Sequence, residues 1–144
     1  MDPQPGGLDL LRPQRSLPGL TAVAGPLDTA KKALRAFAAK DRAAIEAVLG
    51  EPYSFTSPLD NALSRRTFFE RCWPNSEAFT EMTFIHGAEA GEWAFITYEG
   101  VANGKRFRNT EAHRVRDGRI IATEVYFGWN IPHEAEPGGF IETD

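Results

Sequence analysis

At 144 residues, 42% of them hydrophobic and 25% charged, the chain fits one compact domain with its own apolar core and not a multidomain assembly. A formal net charge of -4 excludes a molecule-wide attraction for polyanions, so nucleic acid would need a local basic patch. The single cysteine, Cys72, excludes an intrachain disulfide and a multi-cysteine zinc site.

Residues 1–26 hold Pro3, Pro5, Pro13, Pro18 and Pro26 with four glycines and no sustained period, which predicts a flexible leader. Met1 to Pro5 has neither the basic start nor the apolar core of an ordinary secretory signal. No run approaches about 18 apolar residues, so a soluble cytoplasmic protein without a membrane partner is expected. From Leu27 the pattern turns helical: Leu27, Ala30, Leu34, Phe37 and Ala38 share a face up to about Ala39, with Asp28 as a plausible N-cap. Asp41 then caps a short second helix bearing Ile45, Val48 and Leu49, which Gly50 and Pro52 stop.

Tyr53 to Ser57 alternates large and small polar residues like a short strand ended by Pro58, and Leu59 to Leu63 reads as loop. Ser64 can cap a third helix from Arg65 to Trp73, stopped by Pro74. Strands follow over about 79–88, 92–102, 105–116 and 119–128, punctuated by Gly87, Gly91, Gly104 and Gly118 as in a curved antiparallel meander. Three helices first and a meander last predict an α+β fold in which helices cover one sheet face. Residues 133–144 read as a C-terminal tail.

The stretch Arg106 to Trp129 carries the chemistry. Successive strand side chains point to opposite faces, so Phe107, Asn109, Glu111, His113 and Val115 share one side. Arg106, Arg108, Arg114 and Arg116 share the other, which reads as a solvated basic surface or part of a subunit interface, not a nucleic-acid platform. The turn Arg116-Asp117-Gly118-Arg119 reverses the chain between the two arms.

The strings Ala39-Lys-Asp-Arg-Ala-Ala-Ile45, Phe55-Thr-Ser-Pro58, Phe68-Phe-Glu-Arg-Cys-Trp-Pro74 and Glu124-Val-Tyr-Phe-Gly-Trp129, in this order of elements, resemble the SnoaL-like proteins of the nuclear transport factor 2-like superfamily. The resemblance covers about residues 27–132. It implies a cone-shaped α+β barrel with a pocket at the wide end, and a homodimer formed through the sheet. Its members include isomerases, cyclases, epoxide hydrolases and noncatalytic binders, so shared fold leaves the reaction open. The ketosteroid isomerase pattern maps its base to Ser57, its oxyanion-hole tyrosine to Ala33 and its oxyanion-hole acid to Glu111; only the third place keeps a working group.

The same matching turns Tyr53, Phe55, Ser57, Ile96, Tyr98, Thr123, Val125 and Phe127 inward with Glu111 and His113, and Glu124 and Tyr126 outward. Glu111 is the leading catalytic candidate, because a carboxyl on an apolar concave wall is costly to ionise unless His113 or an arginine pairs with it. His113, two residues away on the same face, suits proton transfer near neutral pH. Either could instead belong to a satisfied internal network. Asp60 either reaches the mouth of the cone and replaces the missing base or caps the turn around Asn61. Trp73 and Trp129 either line that mouth or pack, and Cys72 reads as a small buried hydrophobe. His86 reads as exposed at a turn, and the three histidines lack ligand spacing, so neither metal nor cofactor is expected. The resulting expectation is a small, largely apolar ligand oriented by Tyr53, Tyr98, Asn109, Glu111 and His113, with cofactor-free acid/base isomerisation, cyclisation or hydration as the chemistry if the protein is an enzyme. A noncatalytic ligand-binding or dimerising module is the alternative.

Overall fold

A computed structural model of the protein describes residues 25–143. The leader expected over residues 1–26 lies outside them except for Gly25 and Pro26. Helix α1 spans Pro26–Ala39, α2 Arg42–Val48 and α3 Arg65–Arg71. Strands β1 (Leu49–Ser57), β2 (Asp60–Leu63), β3 (Phe79–Ala90), β4 (Trp93–Ala102), β5 (Lys105–Arg116) and β6 (Arg119–Ile131) form one sheet in the order β2-β1-β6-β5-β4-β3. The sheet is curved and open. It is antiparallel except where β1 lies parallel to β6, pairing Phe55 with Thr123 and Thr56 with Glu124.

Local chemistry accounts for the helix ends. The Asp41 carboxylate accepts from the Ala44 N–H and the Ser64 hydroxyl from the Thr67 N–H, both in N-cap geometry as the sequence predicts. Asp28 does not cap α1, because Pro26 starts the helix earlier and puts Asp28 in its first turn. The Leu27 N–H there donates 2.9 Å to a Glu89 carboxylate oxygen on β3. Lys40, with φ 61°, takes the left-handed position that ends α1.

Several boundaries differ from the sequence reading. Strand β1 begins at Leu49, because its parallel pairing with β6 is irregular between Leu49 and Ser54 and so tolerates Pro52 without an N–H. Asp60–Leu63 is a strand and not a loop: it folds back on β1, with the Ala62 N–H donating to the Thr56 hydroxyl. Strand β3 runs to Ala90, two residues past the expected end, and at Gly87 within it the missing side chain admits Leu27 of α1. His86 is therefore exposed in mid-strand. Helix α3 ends at Arg71, and Trp73–Ala78 forms a separate 3₁₀ turn.

The helices cover one face of the sheet in two packed groups. Ile45, Leu49, Phe68, Phe69 and Ile120 join α2 and α3 to the β1–β6 side. Ala30 and Leu34 of α1 seat on Ala94, Ile96 and Tyr98 of β4. Burial of these side chains stabilises each by about 1.5–3 kcal/mol for the larger ones, and the arrangement leaves the sheet's concave surface partly uncovered.

Candidate functional site

The uncovered part is a cavity of about 600 Å³ between the helices and the concave wall of the sheet. Alternation along each strand sets its lining. Strand β1 contributes Tyr53, Phe55 and Ser57; β5 contributes Phe107, Asn109, Glu111 and His113; β6 contributes Thr123, Val125 and Phe127. Tyr98 enters from β4, and Phe68 from α3 closes the opposite side. Most of the surface is aromatic or aliphatic, so the polar groups on it stand out.

Those groups form one connected row. The Tyr98 hydroxyl donates to Glu111 Oε2 at 2.8 Å, and the Asn109 amide reaches the same hydroxyl at 3.4 Å. On the other side, Glu111 Oε1 lies 3.0 Å from His113 Nε2. His113 Nδ1 is 3.1 Å from the Thr123 hydroxyl. With Thr123 donating to Nδ1, a neutral ring keeps its proton on Nε2. That nitrogen makes no well-aligned hydrogen bond despite its closeness to Oε1; the angle is too bent. Glu111 is 7% exposed and His113 3% exposed, so an acceptor, a titratable ring and one underused N–H meet at the cavity wall away from bulk water. Burial pushes the Tyr98 phenol well above its usual pKa, and the charge of Glu111 beside it adds to the shift. Burial does the same to Tyr53.

A second polar station lies on the strand hairpin. The Ser57 hydroxyl donates 2.8 Å to Asp60 Oδ2 and accepts from the Leu59 N–H at 3.0 Å. Asp60 thus faces the cavity with a side chain 14% exposed and takes its hydrogen bond from Ser57. Cys72 lies in the same lining, and burial, then the nearby Asp60 charge, raises its thiol to about 11.

Trp73 is not in the wall: it packs edge-on against Phe37 at 5.7 Å within the helix layer. Ile96 points inward as expected, but α1 covers it completely. Trp129, by contrast, is at the rim with Phe127, both about half exposed. The rim also holds Leu59, Asn75, Lys105 and Asn130, which the sequence reading did not select. Lys105 was legible in principle, since it continues the Phe107, Asn109, Glu111 alternation by one more step.

On the other face the arginines are paired. Arg106 meets Glu81 at 3.2 Å, Arg108 meets Glu99, and Arg114 and Arg116 share Glu92 at 2.9 and 3.0 Å. Trp93 and Phe95 stack beside them with ring centres 6.4 Å apart, and Tyr126 is exposed. Among the described residues no group of three potential metal ligands occurs, and no helix is long and apolar enough to cross a membrane.

This fold of a curved sheet covered by helices is shared with many solved structures. The chain has the nuclear transport factor 2-like fold. Similar to it is a nuclear transport factor 2-like protein of unknown function from Burkholderia xenovorans, at TM-score 0.66 and 15% identity, over 83% of this chain and 94% of that one. A LEH-like epoxide hydrolase from M. tuberculosis aligns at TM-score 0.60 and 19% identity, over 72% and 82% of the two chains. A protein from Kribbella flavida provisionally assigned as a ketosteroid isomerase aligns at TM-score 0.63 and 12% identity, over 83% and 89%. The sequence matches no family profile and no curated protein. Nuclear transport factor 2-like neighbours thus span different activities, and the fold by itself selects none of them.

Proposed function

We propose that the cavity binds a small, largely apolar molecule bearing a carbonyl or hydroxyl, and that Glu111 and His113 act on it by cofactor-free acid/base chemistry such as isomerisation, cyclisation or hydration. The observation that carries this reading is the buried contact between Glu111 Oε1 and His113 Nε2 in an otherwise apolar wall. A ligand oxygen inserted there would accept from His113 Nε2–H, whose present contact is poorly aligned. Glu111 beside it could then take or return a proton within hydrogen-bond reach. Tyr98 and Asn109 would hold the carboxylate in place, and Tyr53, Phe55 and Phe68 would exclude water from the ligand body. The epoxide hydrolase and isomerase among the structural neighbours make this chemistry compatible with the fold.

A noncatalytic binding module is the rival, favoured by the mutual satisfaction of Tyr98, Glu111 and Thr123 and by Ser57 and Ala33 in the places of two isomerase groups. The reading further takes the convex aromatic face around Phe95 and Tyr126 as a homodimer surface and the cytoplasm as the location, which suits a lone buried thiol. A thermal-shift screen of wild type and Glu111→Gln against hydrophobic ketones, enones, epoxides, hydroxylated aromatics and fatty acids tests it. Stabilisation of wild type that the variant loses, followed by turnover of the same compound, supports the enzyme. Stabilisation without turnover supports the binding module, and no stabilisation by any class defeats both.

A further inference from the structure

Charge is distributed unevenly along the cavity. Asp60 and Glu111 fall on one row across the sheet: Asp60 pairs with Ser57, Thr56 with Glu124 next along the strands, and Val125 with Glu111. Both carboxyls therefore lie at one level of the wall. Lys105 lies on the same inward side of β5 as Glu111, six residues nearer the rim, and among the described residues is the only lysine or arginine in the lining. It is exposed and makes no ion pair among the described residues, whereas the neighbouring Arg106 and Arg108 are bound to Glu81 and Glu99 on the outer face. Between the two levels the wall is Phe107, with Phe79 packed on it at 5.7 Å, and Asn109.

We propose that the cavity selects molecules with an acid group at one end, the carboxylate pairing with Lys105 at the rim while a carbonyl or hydroxyl reaches Tyr98, Glu111 and His113. This rests on the reading of the cavity as a ligand site. The geometry sets both orientation and length. A carboxylate is repelled from Glu111, and less from Asp60, which has Arg71 at 3.9 Å, and is attracted to Lys105, so an acid enters with its charge outward. A strand advances about 3.4 Å per residue, which places Lys105 about 14 Å from Asn109 and about 20 Å from Glu111 along β5. The long lysine side chain shortens that span, so the fitting ligand is an extended or fused-ring acid whose oxygen functions sit at opposite ends. The Asn75 and Asn130 amides at the same rim can donate further hydrogen bonds to the acid group.

Calorimetric titration with the monomethyl ester of sebacic acid and with its dimethyl ester tests the assignment, because both keep the ester carbonyl and only the first keeps the acid. The expected result is binding of the half-ester about tenfold tighter than the diester, the lower end for a hydrogen bond to a charged group. Lys105→Ala should abolish that preference and leave diester affinity unchanged, while Lys105→Arg retains it. Added salt should weaken the half-ester alone. Equal affinities in wild type, or a preference that survives Lys105→Ala, would overturn the acid assignment while leaving the cavity reading intact. Failure of both esters to bind wild type would overturn the cavity reading and the acid assignment together.

Discussion

Tyr98 and Glu111 occupy adjacent strands two residues out of register, and the phenol donates diagonally to the carboxylate at 2.8 Å. Each is the other's main hydrogen-bond partner in a buried wall, so removing either strands a polar group. Glu111→Ala should lower stability by about 1–3 kcal/mol and Tyr98→Phe by about 1 kcal/mol, each read by denaturant titration. The double variant should lose less than the sum, because the second deletion removes a group already unpartnered. Additive losses would mean the bond contributes nothing.

Gly128 lies at the bulge where β6 slips against β5, and its N–H donates 3.2 Å to the Asn109 side-chain oxygen. A methyl group at this position would run into the backbone carbonyl of Arg108. Gly128→Ala should cost about 1–3 kcal/mol, and the displaced Asn109 should weaken any cavity ligand more than Trp129→Ala at the rim does.

The acid limb of the stability profile should depend on Glu92. Hydrogen bonds from Arg116 and Arg114 hold its carboxyl down to about 2, below its unfolded value. A depressed pKa contributes stability that is present above the unfolded value and lost as pH falls through the folded one. Stability should therefore decline from about pH 4.5 toward pH 2. Glu92→Gln should flatten that decline, and so should high salt, since the group is exposed.

At the alkaline end the sign reverses. Tyr53 and Tyr98 are raised by burial and Cys72 reaches about 11, so the native state favours their protonated forms. That contribution is complete below the unfolded values and fades as pH climbs past them. The same burial predicts that Cys72 resists alkylation by iodoacetamide at neutral pH until the protein is unfolded. Rapid labelling of the native protein would contradict the packing around α3.

The exposed Phe95 and Tyr126 supply the convex face with apolar surface that a partner copy can cover. Sedimentation should show a dimer for wild type and a monomer for Phe95→Glu with unchanged thermal stability of the fold. A wild-type monomer at high concentration would dismiss the interface.

Period-two alternation made the chemical face of β5 legible, and the caps Asp41 and Ser64 marked two helix starts, because both signals are local. What was missed depends on partners distant in sequence. Asp60–Leu63 lacks strand patterning and becomes a strand only through the hairpin with β1. Pro52 signals a stop yet sits inside β1, since the irregular parallel pairing asks no N–H of it. Trp73 carries no mark of whether it faces ligand or helix; Phe37 decides that. The rim residues Asn75 and Asn130 come together only when the cone forms.

The parallel contact between β1 and β6 joins the first and the last strand of the sheet in chain order. Tyr53 and Phe55 are synthesised early, but Thr123 and Val125, which complete their side of the cavity, follow only after the other strands of the sheet. Until then β1 has only its short hairpin with β2, and the aromatic surface of Phe55 and Phe68 has no sheet to lie against. Such non-local pairing makes folding slow and leaves apolar surface open to wrong partners meanwhile. The nascent chain, with its ligand chamber half built, is thus the form of this protein most in need of a chaperone.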